Sequence, residues 1–413
     1  MQSQSTRRQL LRWLPGMAAT GLSTRQLWSA PKTADLKISR FVTHKMTVGR
    51  RHFLMLEIQT DGGLIGLGEG SLPARVDIVE QAIKWLEPHF IGKSPAGVEA
   101  HWDRMFYSSS RWRDGDVLMT AQSAVDIALW DLEGKALGVP ISRLLGGRLK
   151  PQLRVYYSHW DTAVRPRTPA ELAKRAIASR DQGWTAVKMI PQQAATEAET
   201  ISRISAELDA IRTAVGDAVD IGLELVERFT TRQAINFARA VAPYKPLFLE
   251  EATRRENPSA MSELAEKSPI ALAGGEGLLH RYQYRQFLEA KGAAIIQPDV
   301  IHCGGITEMK RIANLAEVYG VELAPHQWYG PIAHAASLHV ASVCHNFLIQ
   351  EWDAAQDPVF QEVSEGTMPI QKGGKVNVPE GPGLGITIDL AAFSKRYPYV
   401  GGTGGQTSRR PPA

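Results

Sequence analysis

The chain has 413 residues, 44% hydrophobic, 22% charged and 8% aromatic, which excludes a mostly disordered, collagen-like or coiled-coil protein and leaves room for two or three domains or one large barrel with an attachment. Lys and Arg number 47 against 43 Asp and Glu, but Arg7, Arg8, Arg12 and Arg25 in an acid-free leader account for the excess, so the neutral body offers no electrostatic reason to bind nucleic acid. No run of about 18 uncharged apolar residues occurs, so no membrane-spanning helix and no stable insertion is expected, and two cysteines, Cys303 and Cys344, are too few for a disulfide framework and read as buried small hydrophobes.

Residues 1–30 contain Ser5-Thr6-Arg7-Arg8-Gln9-Leu10-Leu11-Arg12, then a small-residue, mildly apolar stretch to Leu22 and Ser29-Ala30-Pro31. Paired arginines ahead of leucines predict a twin-arginine-type signal and an exported, periplasmic protein. The alternative is a disordered basic extension on a cytoplasmic one. From residue 36 to about 60 the pattern is strand-like, and Asp61-Gly62-Gly63 joins 52–60 to 64–69 as a hairpin. Helical spacing follows over 76–90 and 119–137, the latter ended by Gly138 and Pro140. Residues 36–150 therefore read as a small α+β unit.

Beyond Pro151 short apolar runs alternate with amphipathic stretches in eight cycles. The runs are 153–158, 186–190, 221–225, 247–251, 270–275, 294–299, 322–326 and 347–351; between them lie helical segments such as 170–182, 199–215, 231–241 and 306–319. That alternation predicts a closed (β/α)8 barrel over 151–353, of the α/β class, with a doubly wound sheet as the fallback. No G-x-G-x-x-G turn follows an early strand to support the fallback. The turn-rich segment 354–395 is expected to return to the first unit and complete it as a cap, and 401–413 to be disordered.

In such a barrel the chemistry lies at the C-terminal ends of the strands, and here those ends are acidic. Glu224, Glu250 and Glu276 are spaced by 26 and 26 residues, which puts three carboxylates at equivalent depths on consecutive strands. Such anions repel one another unless a cation compensates, and an all-oxygen set suits a hard divalent ion, most simply one Mg2+. The next strands end in Asp299, His326 and Glu351, where Asp299 can fix the His326 tautomer and leave the other ring nitrogen as a base. Lys188 ends the second strand, either as a cationic neighbour of the site or as a barrel lysine. A metal, a base and cations together suit removal of a weakly acidic proton next to a carboxylate through an ene-diolate.

With Gly66-Leu67-Gly68-Glu69, the helix Ser123-Ala124-Val125-Asp126-Ile127-Ala128-Leu129-Trp130-Asp131-Leu132, the strand-end acids, Gly304-Gly305-Ile306 and the Pro379-Glu380-Gly381-Pro382-Gly383 tail, the chain resembles the enolase superfamily in its mandelate racemase and muconate-lactonizing subgroup. The likeness spans 36 to about 395 and is greatest to acid-sugar dehydratases of the galactonate dehydratase kind. It implies a modified barrel with an α+β cap, Mg2+ on Glu224, Glu250 and Glu276, a His326–Asp299 dyad, Glu351 as the eighth-strand acid, and a hydro-lyase converting a sugar acid to a 2-keto-3-deoxy acid and water. The expected partner is a small-molecule sugar acid, and the expected assembly a homo-oligomer.

Two positions depart from the galactonate dehydratase pattern. The opening ligand is Glu224 where Asp is usual, and Val226 stands where those enzymes carry the histidine that protonates the leaving hydroxyl. Dehydration then needs another acid, with His302, His159 and Tyr157 as candidates, or departure assisted by the metal or by water. A racemase or epimerase would need a lysine at Ile190, and a non-catalytic exported sugar-acid binding protein is the further alternative. His44, Lys45, Arg50, Arg51 and His52 form either a basic lid or a solvated loop. Tyr156, Tyr157, His159, Trp160, Trp328 and Tyr329 either wall the pocket or pack the barrel rim.

Overall fold

The computed structural model describes residues 35–108 and 113–401; the export-signal reading of 1–30 and the disordered tail beyond Gly401 lie outside them. Strands β1 (Ile38–Val48), β2 (Arg51–Thr60) and β3 (Ile65–Glu69) form an antiparallel sheet in that order. The strand-like run before Thr60 is thus two strands, reversed at Gly49, whose φ of 60° needs no Cβ to be avoided. Helices α1 (Val76–Leu86) and α3 (Asp116–Leu137) cover the sheet, and α2 (Val98–Ser108) packs on α3. Leu54, Leu56 and Ile58 pack with Val79, Ile83, Ala124, Ala128 and Leu132 in one core. Gly138 ends α3 in the left-handed region, φ 68°.

Glycine in β3 sets how closely α3 approaches. A Cβ on Gly68 would lie 2.0 Å from the Ala124 carbonyl oxygen, and one on Gly66 2.2 Å from that of Ala128. Gly68→Ala is therefore expected to cost at least the ~1–3 kcal/mol typical of an overpacked core, read as a lower denaturant midpoint at unchanged m-value.

After α4 (Ile141–Leu144) the chain alternates: β4 (Gln152–Ser158), α5 (Pro169–Asp181), β5 (Ala186–Met189), α6 (Glu197–Val215), β6 (Asp220–Glu224), α7 (Thr231–Val241), β7 (Phe248–Glu250), α8 (Pro258–Lys267), β8 (Leu272–Gly274), α9 (Arg281–Glu289), β9 (Ile295–Ile296), α10 (Gly305–Val318), β10 (Glu322–Leu323), α11 (Pro331–Ser342) and β11 (Gln350–Trp352). The strands from β4 to β10 pair in parallel with their sequence neighbours, β11 pairs with β4, and a bridge from Leu323 to Phe347 closes the ring. The barrel expected from eight alternating runs is what forms. Local signals agree with it: Thr196 with Glu199 and Thr230 with Gln233 make capping boxes on α6 and α7. Helix α11 lacks amphipathic spacing because all twelve of its residues are buried.

Past β11 come α12 (Asp357–Val363), β12 (Lys375–Asn377), which pairs antiparallel with β4, and α13 (Leu390–Arg396). Gly383 exchanges backbone hydrogen bonds with Val139 and Ile141, each 3.0 Å, and Tyr397 accepts one from Thr47. Buried acids rivet the cap to the barrel. Glu69 accepts from the N–H groups of Gly330 (2.7 Å) and Ala333 (3.0 Å) at the N-terminus of α11, and Asp126 accepts from the Thr307 hydroxyl at 2.6 Å. No helix among the described residues is long and apolar enough to cross a membrane.

Buried histidines make the fold acid-sensitive. His339 donates from Nε2 to the Leu384 carbonyl (3.0 Å) while Nδ1 accepts from the Ser142 N–H (3.2 Å), and burial holds it down at about 4. Because its folded pKa lies below the ordinary 6.5, the unfolded chain binds the extra proton, and stability falls as pH drops from 6.5 towards 4, by about 3 kcal/mol. Glu69 and Asp126, pushed up to about 7 by burial, titrate in the opposite sense. The test is therefore a comparison: His339→Gln should flatten the acid limb of the melting-temperature profile relative to the parent.

Candidate active site

Every barrel strand delivers a polar side chain to the same end. Lys188 of β5, 1% exposed, stands among carboxylates: its Nζ is 3.1 Å from Glu224 Oε2, 2.5 Å from Glu250 Oε1 and 3.0 Å from Glu351 Oε1. Burial alone would depress this ammonium, but Glu224, Glu250 and Glu351 outweigh it and hold its pKa well above the lysine range. Lys188 is thus a site residue, not a lysine reaching past the rim to solvent.

Glu224, Glu250 and Glu276 converge, each offering one oxygen within 4.8 Å of the others'. Burial and the neighbouring carboxylates push Glu250 up to about 8, with Lys188 opposing, and burial raises Glu276 too. Lys188 supplies one positive charge against four carboxylates, counting Glu351, so a divalent cation fits the donor set on charge as well as on ligand type. Gln297, a neighbour that the sequence reading passed over, donates to Glu250 Oε2 at 2.6 Å and so fixes that carboxylate. Its position one residue before Pro298, in the run that ends at Asp299, was the available signal.

His326 lies across from Lys188. Its Nδ1 is 2.7 Å from Asp299 Oδ2, while Nε2 is 3.5 Å from Glu276 and 3.8 Å from Glu351 Oε2. The other Asp299 oxygen accepts from the Ile301 N–H at 2.8 Å, so the acid is held and in turn sets the ring. Burial disfavours the imidazolium, yet Glu276, Glu351 and Asp299 carry its pKa well above the histidine range. Glu351 goes the other way: burial would raise it, but Lys188 and His326 hold the carboxyl far below the usual range.

The remaining predicted residues divide. His159 follows β4 with a left-handed φ of 57°, and its Nδ1 is 2.7 Å from Ser158 Oγ, which donates to Glu351 Oε1 at 2.5 Å. Trp328 lies between the His159 ring (5.8 Å) and the Arg51 guanidinium (4.1 Å). Tyr157, expected at the site, does not reach it: strand alternation turns it outward, stacked on Trp184 at 4.9 Å with its hydroxyl on Arg175. Tyr156 points inward instead, its ring 5.5 Å from Lys188 Nζ. His302 has its Nδ1 2.8 Å from the Thr120 hydroxyl and packs edge-on against Tyr329. Val226 takes φ 50°, a costly conformation for a β-branched residue.

Of the basic segment only Arg51 binds the barrel, through a 2.5 Å pair with buried Asp353 and a bond to the Trp328 carbonyl. His44 pairs with Glu57, Lys45 with Asp77 and Glu80, and His52 packs on Tyr399, while Arg50 is exposed. Cys303 and Cys344 are both buried and free.

Comparison with known proteins places this geometry in a family. Residues 32–146 match the N-terminal domain of mandelate racemase and muconate lactonizing enzymes, and 171–392 match the enolase C-terminal domain-like family. The chain is 34% identical over 370 residues to the D-galactonate dehydratase of Ralstonia nicotianae, covering 87% of this chain and 94% of that one. It is 34% identical over 376 residues to that of Klebsiella pneumoniae, covering 88% and 96%. A crystal structure of a mandelate racemase/muconate lactonizing enzyme from Jannaschia sp. CCS1 superposes with a TM-score of 0.81 at 31% identity, over 89% of this chain and 98% of that one. Two family models over both parts of the chain, full-length relatives and a shared fold make it a member of the enolase superfamily, in the mandelate racemase and muconate lactonizing branch.

Proposed function

We propose that the protein is a Mg2+-dependent acid-sugar dehydratase that removes the proton beside the carboxylate of a sugar acid and expels the neighbouring hydroxyl, leaving a 2-keto-3-deoxy acid and water. The observation that carries this reading is the pairing, across one barrel mouth, of a histidine set by Asp299 with three convergent glutamates and Lys188. Full-length similarity to D-galactonate dehydratases supports the substrate class.

Glu224, Glu250 and Glu276 are the residues that would hold Mg2+, which when bound offsets negative charge as it develops on the substrate carboxylate. His326 donates Nδ1–H to Asp299, which leaves Nε2 as the nitrogen that takes the C2 proton; Glu276, its charge offset by the cation it holds, would favour the imidazolium less and so free that lone pair. Lys188, locked by three carboxylates, remains cationic and adds positive charge beside the developing ene-diolate. Ile190 occupies the position where a two-base racemase would need its second lysine, which favours elimination over racemization.

The test is a panel of hexonates, pentonates and hexarates, D-galactonate first, incubated with Mg2+ and assayed with thiobarbiturate for 2-keto-3-deoxy acid. Product from at least one acid, lost on chelation, is the expected result. Absence of product across the panel, with the acids still bound, would favour a binding protein.

A further inference from the structure

We infer that His159 is the acid that protonates the departing hydroxyl, an assignment that rests on the dehydratase reading. Val226 has no proton to give, so a departure protonated by a side chain needs a donor elsewhere at the mouth. Tyr157 is turned outward with its hydroxyl on Arg175, and His302 has its Nδ1 on Thr120 and its Nε2 buried without a partner. His159 differs from both. It is half-buried at the end of β4, its Nε2 has no protein partner, and that nitrogen is not closed off from solvent.

The hydrogen-bond chain fixes which nitrogen works. Ser158 has one hydroxyl proton, and it goes to the Glu351 carboxylate, which can only accept. His159 Nδ1 must then donate to Ser158 Oγ in either charge state of the ring. Nε2 is left as the nitrogen that gains and loses a proton. Glu351 meanwhile shows its two oxygens to different partners: Oε1 to Ser158 and Lys188, Oε2 to the Gln327 N–H and, at 3.8 Å, to His326 Nε2. The two histidines are therefore tied to different oxygens of one carboxylate, His159 through Ser158 and His326 directly, which keeps a base and a separate acid apart.

In the step itself, His326 Nε2 takes the C2 proton and the C–H electron pair enters the ene-diolate. That pair then closes the C2–C3 double bond while the C3–O bond breaks with its electrons on oxygen. The Nε2 proton of the His159 imidazolium bonds to that oxygen, and water leaves. His159 ends neutral with Nδ1–H still on Ser158, and the enol product becomes the ketone by shifting its proton to C3. His326 now holds the C2 proton, and the proton that His159 gave up has left with the water, so one proton must pass from His326 to His159, directly or through solvent, to reset the site.

The experiment uses the full-length protein with Mg2+, D-galactonate or whichever panel acid the wild type dehydrates, and the corresponding 3-deoxy-3-fluoro acid, whose fluoride leaves without protonation. His159→Gln should slow water loss by 10²-fold or more, keep C2–H exchange in deuterated water, and expel fluoride at close to the wild-type rate. Equal loss of water and fluoride elimination would make His159 structural and overturn the assignment, as would undiminished water loss. Loss of C2 exchange in His159→Gln would overturn it too, by making the residue a second base. A wild type that exchanges C2–H without eliminating would refute the acid role but leave proton abstraction standing, whereas a wild type that does neither would sink the dehydratase reading itself.

Discussion

His326→Asn abolishes exchange of the C2 proton of the substrate with solvent, with a rate loss of about 10²–10⁴-fold or more. The substitution keeps an amide that can still meet Asp299 but removes the lone pair that Nε2 presents 3.5 Å from Glu276 and 3.8 Å from Glu351. Binding of the sugar acid should change little, so the loss appears in kcat with KM nearly unmoved. Asp299→Asn tests the other half of the dyad. It leaves the ring in place but no longer selects the tautomer with Nδ1 protonated, and it should lose a smaller part of the rate. Deuterium incorporation at C2 that persists in His326→Asn contradicts the assignment of the base.

The second large effect concerns the cation. Four buried or half-buried carboxylates face only Lys188 and His326, and burial with like charge has already raised Glu250 and Glu276. A divalent ion that binds only the folded chain stabilises it by about 2.7 kcal/mol at one hundred times its dissociation constant. Mg2+ should therefore raise the melting temperature of the wild type, and EDTA should lower it and stop turnover. Glu250→Gln removes the central ligand and should erase the Mg2+-dependent rise whatever it does to the baseline, which is why the comparison is made with and without the ion. A wild-type melt indifferent to millimolar Mg2+, with no heat of binding in titration calorimetry, would contradict the metal reading.

The barrel was legible in the sequence because a buried parallel strand writes itself as a short apolar run, and eight such runs alternate with helical spacing. Glu224, Glu250, Glu276, Asp299, His326 and Glu351 were legible as candidates because each terminates a run, and strand ends on one side of a barrel share a mouth. What stayed hidden depends on direction or on burial. Alternation along β4 decides that Tyr156 enters the barrel and Tyr157 leaves it, and two adjacent tyrosines do not announce which is which. Helix α11 has no polar face to mark it. Ser158 is one hydroxyl at the end of a strand, and its link between Glu351 and His159 appears only in three dimensions. The glycines at 66 and 68 were visible as a motif, but their purpose, admitting α3 against β3, is set by a helix more than fifty residues away.

Turnover rests on His326 removing the proton next to a sugar-acid carboxylate. Proton NMR of the wild type with Mg2+ and the acid panel in deuterated water tests it most directly. Loss of the C2 proton signal together with formation of a 2-keto-3-deoxy acid is expected for at least one member of the panel, both absent in His326→Asn. A C2 signal that stays intact for every acid, in protein shown to bind Mg2+, would contradict it.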